Sequence, residues 1–200
     1  MLWLLPRIPL YREAQPLVDF RFNTTRWSTD PKHSGASVEI LYGDGDWALP
    51  SEIISRNIMF PVCAPGLAHR IREPMDVMQT DLITTHGEEH LWAEWAQSVG
   101  ASEAHTRYRV DLHMAALELA RLGHGVALAN DLLAADLLAT GQIVIPIASW
   151  IYAKDNYYLS FRETSALDEK GANFSQWLKQ ALAAHQEAFR ATHFPGSPLP

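Results

Sequence analysis

Residues 86–90 read His-Gly-Glu-Glu-His, the H-x-x-E-H letter pattern of one class of zinc peptidases. That chemistry needs a helix, so that both histidines reach one metal and the glutamate stands beside the metal-bound water, with a further acidic ligand supplied from elsewhere. Gly87 falls between the histidines where a strand gives way to a helix, which argues against continuous helical spacing. The simpler reading is a strand-to-helix loop in which Glu88 and Glu89 favour the helix N-terminus. No metal site and no cofactor is expected.

Tyr-Gly-Asp-Gly-Asp-Trp, 42–47, is a second candidate. It lacks the longer glycine pattern and following lysine of a phosphate loop, and offers acids in their place. Asp44 and Asp46 alternate like calcium ligands, but Trp47 and Ala48 break the series. Gly43 and Gly45 read instead as positive-φ positions of a turn that ends a strand, with Trp47 packed down over it. Cys63 is the single cysteine; nothing nearby places a base beside it, and a buried structural thiol is expected. No Gly-x-Ser-x-Gly elbow supports a serine nucleophile. In Leu-Gly-His-Gly-Val-Ala-Leu, 122–128, Gly123 reads as the residue after a helix, and Gly125 as a close-approach or positive-φ position before a strand. Each of these motifs is weak as catalysis, and a non-enzyme is expected, with an enzyme kept as an alternative.

Elements must position these residues. An apolar helical pattern runs from Trp3 to Tyr11, with Pro6 and Pro9 near its start. Leu17 to Asn23 alternates apolar and polar residues like a half-buried strand, Val38 to Tyr42 is a second strand, and Arg56 to Cys63 a third whose Pro61 belongs at an edge or a crossing point. Pro65, Gly66 and Pro74 punctuate a connecting region. Strands at 81–85, 107–110, 126–129 and 143–146 then alternate with helices carrying Leu91, Trp92, Trp95 and Val99, then Met114, Leu117, Leu119 and Leu122, then Leu132 to Ala139. Asp111 reads as the N-cap of the second of these. Tyr152 to Arg162 is a last strand and Asn173 to Arg190 a terminal helix. The alternation predicts an α/β architecture with mostly parallel strands. Trp92, Trp95, Phe174 and Trp177, at helical spacings, read as core.

The 200 residues carry a formal net charge of −7 and are 48% hydrophobic, the composition of an ordinary globular protein that repels nucleic acid and anionic membranes. No apolar run approaches the roughly 18 residues of a membrane helix, and the start lacks a signal-peptide pattern, so a cytoplasmic location is expected.

The series LLPRIPLYREAQPLVDFRFNTT, EILYGDGDW, IMFPVCAPGL, DLITTH, LWAEWAQSVG, HMAALELARLGHGVALANDLLAADLLATGQIVIPI, NYYLSF and FSQWLKQAL resembles the effector-binding domain of LysR-type transcriptional regulators. Within that family it is similar to the glycine-cleavage-activator subgroup. The resemblance implies a two-lobed fold like type 2 periplasmic-binding proteins, with two crossing strands and a small effector held between the lobes. It places the first lobe at 1–61 plus 148–200 and the second at 62–147, with the first strand of lobe 1 missing and the winged helix-turn-helix upstream. Carried onto this chain, it makes Thr24 or Thr25, Tyr42, Gly43, Thr85, His86, His113 and Val126 the effector-binding residues, with the helix N-terminus at His113 a receptor for a carboxylate or zwitterion. It also implies a homodimer or higher oligomer built on the Trp3–Tyr11 helix, with DNA contacted only through the upstream domain. A solute-binding protein of the same fold, or a metal-dependent hydrolase using residues 86–90, is the alternative.

Overall fold

A computed structural model describes residues 2–22, 38–47, 50–101, 106–161 and 169–196. The chain divides into two compact units: Trp3–Ser55 with Asp155–Ala184 and Met1, and Arg56–Lys154 with His185–Pro200 and Leu2.

The first unit holds a 3₁₀ turn at Leu5–Arg7, helix α1 (Ile8–Ala14), and strands β1 (Val38–Gly43) and β2 (Ser51–Ser55). Strand β8 (Asn156–Phe161) lies between β1 and β2 and is antiparallel to both. Helix α7 (Glu169–His193) contributes Phe174 and Trp177, which meet Tyr11 at ring centroid distances of 5.3 and 5.0 Å. Phe20 joins this aromatic group, 5.8 Å from Tyr11. The strand expected from Leu17 pairs with nothing over the described residues 17–22. Its alternation survives as packing, with Val18 and Phe20 half-buried and their neighbours exposed. Period-2 patterning reports which side faces the core, and a ladder needs a partner strand as well.

The second unit is built on a five-stranded sheet in the order β5-β4-β6-β3-β7. Its strands are β3 (Ile58–Val62), β4 (Leu82–Thr85), β5 (Thr106–Val110), β6 (Val126–Ala129) and β7 (Ile151–Tyr152). Strand β4 is parallel to β5 and β6, while β3 is antiparallel to β6 and β7. Mostly parallel pairing, expected from the alternation of elements, therefore holds for the β5-β4-β6 core alone. Successive side chains of a strand point to opposite faces. Leu82 accordingly enters one core layer with Val77, Trp92 and Trp95, from α3 (Pro74–Met78) and α4 (His90–Ser98). Ile83 enters the other with Phe60, Ala116, Leu117, Ala134 and Phe189, from α5 (His113–Arg121), α6 (Asp131–Ala139) and the end of α7. A one-turn helix α2 (Pro65–Ala68) and α3 fill the stretch that the sequence presents as a punctuated connection.

Pro61 sits inside β3, where its missing N–H costs nothing. Amide groups of alternate residues point to the same side of a strand. Cys63 uses both of its groups on Val144, so Pro61 faces that same side, between the β7 pairs at Ile58 and Met59 and the bridge at Cys63. The strand expected at Ile143–Pro146 reduces to that single bridge. The Ile143 N–H is spent on the Leu137 carbonyl at the end of α6, and Pro146 has none to give. The strand expected from Tyr152 is two strands, β7 and β8, one in each unit; the break is fixed where the Ala153 N–H donates to the Asn57 carbonyl at 2.9 Å.

Candidate functional site

In an open α/β sheet, ligands bind beyond the carboxyl ends of the parallel strands. In the second unit β4, β5 and β6 end at Thr85, Val110 and Ala129, with Thr85 in register with Val110. Three structures follow these ends: the turn 86–89, the start of α5 and the start of α6.

The turn is drawn over the sheet edge by backbone bonds. His86 N–H donates to the Val110 carbonyl at 2.8 Å, and Glu88 N–H to the Thr85 carbonyl at 3.0 Å. Gly87 takes φ +90, a left-handed conformation that favours glycine. The Glu89 carboxylate accepts the Gly87 N–H at 2.9 Å and lies 3.2 Å from His86 Nδ1. Its pKa is lowered, first by its own backbone N–H and then by the Gly87 N–H and His86. Glu88 turns to α5, where its carboxylate meets His113 Nε2 at 2.8 Å, with side-chain exposures of 13% and 24%.

The helical spacing that H-x-x-E-H zinc chemistry requires is absent from this geometry. His86 and Gly87 lie in the turn and His90 opens α4, while each glutamate binds a different partner. Among the described residues, no three His, Cys, Asp or Glu side chains are grouped to hold a metal ion.

Thr85, His86 and His113 are thus brought to one place, with Glu88 between them. The cap of α5 is Leu112, in extended conformation with no side-chain cap bond; the chain reaches helical geometry one residue later than an Asp111 cap requires. The acid beside this helix start is Glu88, which meets the side chain of His113. Val126 is not in the group: it lies at the opposite end of β6, paired with Leu82, and is fully buried in the core. Tyr42 and Gly43 belong to the first unit. Tyr42 is exposed at the end of β1, its ring 4.9 Å from that of Tyr157. A Cβ on Gly43 would meet the Trp47 ring at 2.8 Å. Thr24 and Thr25 lie outside the described residues.

The rest of the 42–47 turn follows its composition. The Asp46 N–H donates to Asp44 Oδ1 at 3.1 Å, an Asx turn. Gly45 has φ +88. Trp47 packs edge-on to Tyr158, and its Nε1 donates to Ser51 Oγ at 2.8 Å. Cys63 is fully buried, and burial pushes its thiol up to about 11, the opposite of an activated nucleophile. Trp92 and Trp95 are core, as their spacing implies.

Two polar groups on the same edge escaped sequence reasoning. Asn130 caps α6 by accepting the Leu133 N–H at 2.9 Å, and its Nδ2 donates to Asn57 Oδ1 at 2.7 Å, both side chains buried. Asp131 is buried at the first position of α6, with Oδ2 3.5 Å from His185 Nε2. An Asn before an apolar helical run is an N-cap signal. The partners, 73 and 54 residues away, leave no local trace.

The fold is that of the effector-binding domain of a transcriptional regulator. The chain belongs to the family described as the LysR substrate binding domain, whose model matches residues 1–183. It is 30% identical over 180 residues to the HTH-type transcriptional activator AmpR of Rhodobacter capsulatus, covering 89% of this chain and 62% of that protein. It is 29% identical over 194 residues to the glycine cleavage system transcriptional activator of Escherichia coli K12, covering 94% and 63%. The effector domain of AmpR from Pseudomonas aeruginosa superposes with a TM-score of 0.81 at 28% identity, covering 96% of this chain and 93% of that one. The chain therefore spans somewhat under two thirds of the curated relatives it matches. These relatives are named as transcriptional activators and not as enzymes. Among the described residues, no helix is long and apolar enough to cross a membrane.

Proposed function

We propose that this chain is the effector-sensing and dimerisation part of a bacterial LysR-type regulator, binding a small metabolite and passing the signal to a DNA-binding region elsewhere in the full-length protein. The two compact units would be its regulatory lobes. The observation that carries the reading is the convergence of Thr85, His86 and His113 on the carboxyl edge of β4 and β5, in a chain of this family. The effector is an amino acid or small carboxylate whose acidic group exchanges with Glu88 at His113 and the α5 N-terminus. Thr85 and His86 supply further donors; Tyr42, Gly43 and Thr24 or Thr25 are effector contacts on the family resemblance alone. An effector acts by binding one arrangement of the regulator more tightly than another.

The dimer uses α1, which buries Ile8 and Tyr11 inside its own unit but leaves Leu10, and Leu5 just before it, exposed. The location is cytoplasmic, where a regulator meets DNA. Thermal-shift screening with amino acids and small carboxylates, followed by Thr85→Ala and His113→Ala, tests the site. At least one compound raises the melting temperature of the parent, and both substitutions abolish the rise. Unchanged affinity in both variants would remove these residues from the site, and a monomer in sedimentation at tens of micromolar, well above tight-interface Kd values, would remove the dimer.

A further inference from the structure

At the α6 end of the second unit's strand edge, apart from Thr85 and His113, a pit of about 20 Å³ opens over Asp131. Arg56 and Ile58 at the entry to β3, Tyr152 of β7, and Gln186, Phe189 and Arg190 of α7 line it. One water needs roughly 10–15 Å³ by this kind of measure, so the pit admits a single water-sized group, with the remainder of any ligand outside. Among its lining residues Asp131 is buried, its side chain 4% exposed. It receives the N–H groups of Leu132 and of Asp131 itself, and faces His185 across 3.5 Å.

The lining is rich in donors. Arg56 and Arg190 carry five N–H groups each, and Gln186 and Tyr152 add more. Among the described residues, neither arginine has a carboxylate within 4.0 Å. Bidentate guanidinium groups are the usual receptors for carboxylates. Asp131 would repel such a ligand only while ionised, and burial works against that form, pushing its carboxyl up to about 6 despite the two backbone N–H groups and the charge of Arg190.

We propose that this pit binds the carboxylate of a small monoanion between Arg56 and Arg190, with Asp131 taking up one proton from solvent and donating it in a hydrogen bond to the ligand. The charged and titratable groups facing Asp131 are Arg56 from the segment before β3, Tyr152 from β7, and His185 and Arg190 from α7. Binding then falls as pH rises, because the competent form becomes scarce. A carboxyl titrating near 6 is about 1% protonated at about pH 8, so the affinity there is about a hundredfold weaker than at about pH 5.

Acetate is the probe, titrated into the whole chain at constant ionic strength and followed by amide NMR shifts in α6 and α7. Wild type saturates at about pH 5 and weakens about a hundredfold at about pH 8. Asp131→Asn, neutral throughout, binds equally at both. Arg190→Met loses binding, and Arg56→Met, which changes an exposed side chain, does the same without threatening the fold. Absence of saturation in wild type at low pH, retained binding in both arginine variants, or a pH dependence that persists in Asp131→Asn would each overturn the proposal. Competition by chloride as strong as acetate's would overturn the carboxylate assignment. The site stands independently of the effector reading, since Thr85→Ala and His113→Ala leave acetate binding here unchanged.

Discussion

Replacing Asp131 by Asn makes the second unit more stable at neutral pH and leaves it nearly unchanged in mild acid. The side chain is almost fully buried at the start of α6. Burial is the largest influence on it and raises its pKa from 3.8 to about 6; the N–H groups of Leu132 and Asp131 and the charge of Arg190 pull the other way without prevailing. A carboxyl so raised corresponds to roughly 3 kcal/mol against the ionised form. The folded state binds this proton more tightly than the unfolded state, so stability falls as pH climbs from about 4 to about 6, and the full cost persists above that. Asn keeps an oxygen for the two backbone donors but loses the carboxylate's approach to His185, 3.5 Å away, which offsets part of the gain. The net expectation is a stabilisation of about 1–2 kcal/mol at about pH 7.5, shrinking toward zero near pH 4. Denaturant unfolding at both pH values measures it, with hydrogen exchange of β4 and β6 amides reporting the second unit separately. A variant less stable than the parent at neutral pH, or a difference independent of pH, would show that the contacts of the Asp131 carboxylate outweigh its desolvation and that the sign assigned here is wrong.

Other consequences follow from single contacts. Gly125→Ala sets a Cβ 2.1 Å from the Asp81 carbonyl oxygen, which accepts the Val126 N–H at 3.0 Å, so thermal melting should show a loss of about 3 kcal/mol or more. Gly66→Ala, with nothing within 4 Å of the new Cβ, is the control and should be neutral or slightly stabilising. Asn130→Ala removes the α6 cap and the donor to Asn57; equilibrium unfolding should report a loss of roughly 2–4 kcal/mol. The Cys63 thiol, buried and pushed up to about 11, should resist a disulfide reagent at neutral pH while the chain is folded and react promptly once it is denatured.

Local chemistry was legible at the turn and at the glycines, where a residue's role depends on its neighbours in sequence, though the caps at Leu112 and Asn130 were not read. Gly45 at φ +88 and the Asp44–Asp46 bond make 42–47 the turn that its composition describes. Gly125 is a close-approach glycine, and Gly123 has φ +81 after α5. The alternation of strands and helices from 81 to 139 placed β4, α4, β5, α5, β6 and α6: β5 alternates, α4 and α5 carry helical apolar stripes, and β4, β6 and α6 are short apolar runs bounded by turn or capping residues. Strand β2 went unseen, as Ser51–Ser55 is short, largely exposed and held by pairing with β8.

What the sequence determined by itself was the run of strands and helices from 81 to 139, and the placement of Thr85 at a strand end, His86 just after it and His113 at a helix start; the class of domain was legible only through the resemblance of many short words in order. The elements follow from patterning over a few residues, where backbone geometry links composition to structure directly. Only the tertiary structure decided the pairings. It set Glu88 against His113, made Val126 core, joined Asn130 to Asn57, and buried Asp131 before His185. Those contacts depend on which elements the sheet order β5-β4-β6-β3-β7 makes neighbours, and on how far burial raises the cost of a charge, neither of which any short run of residues encodes.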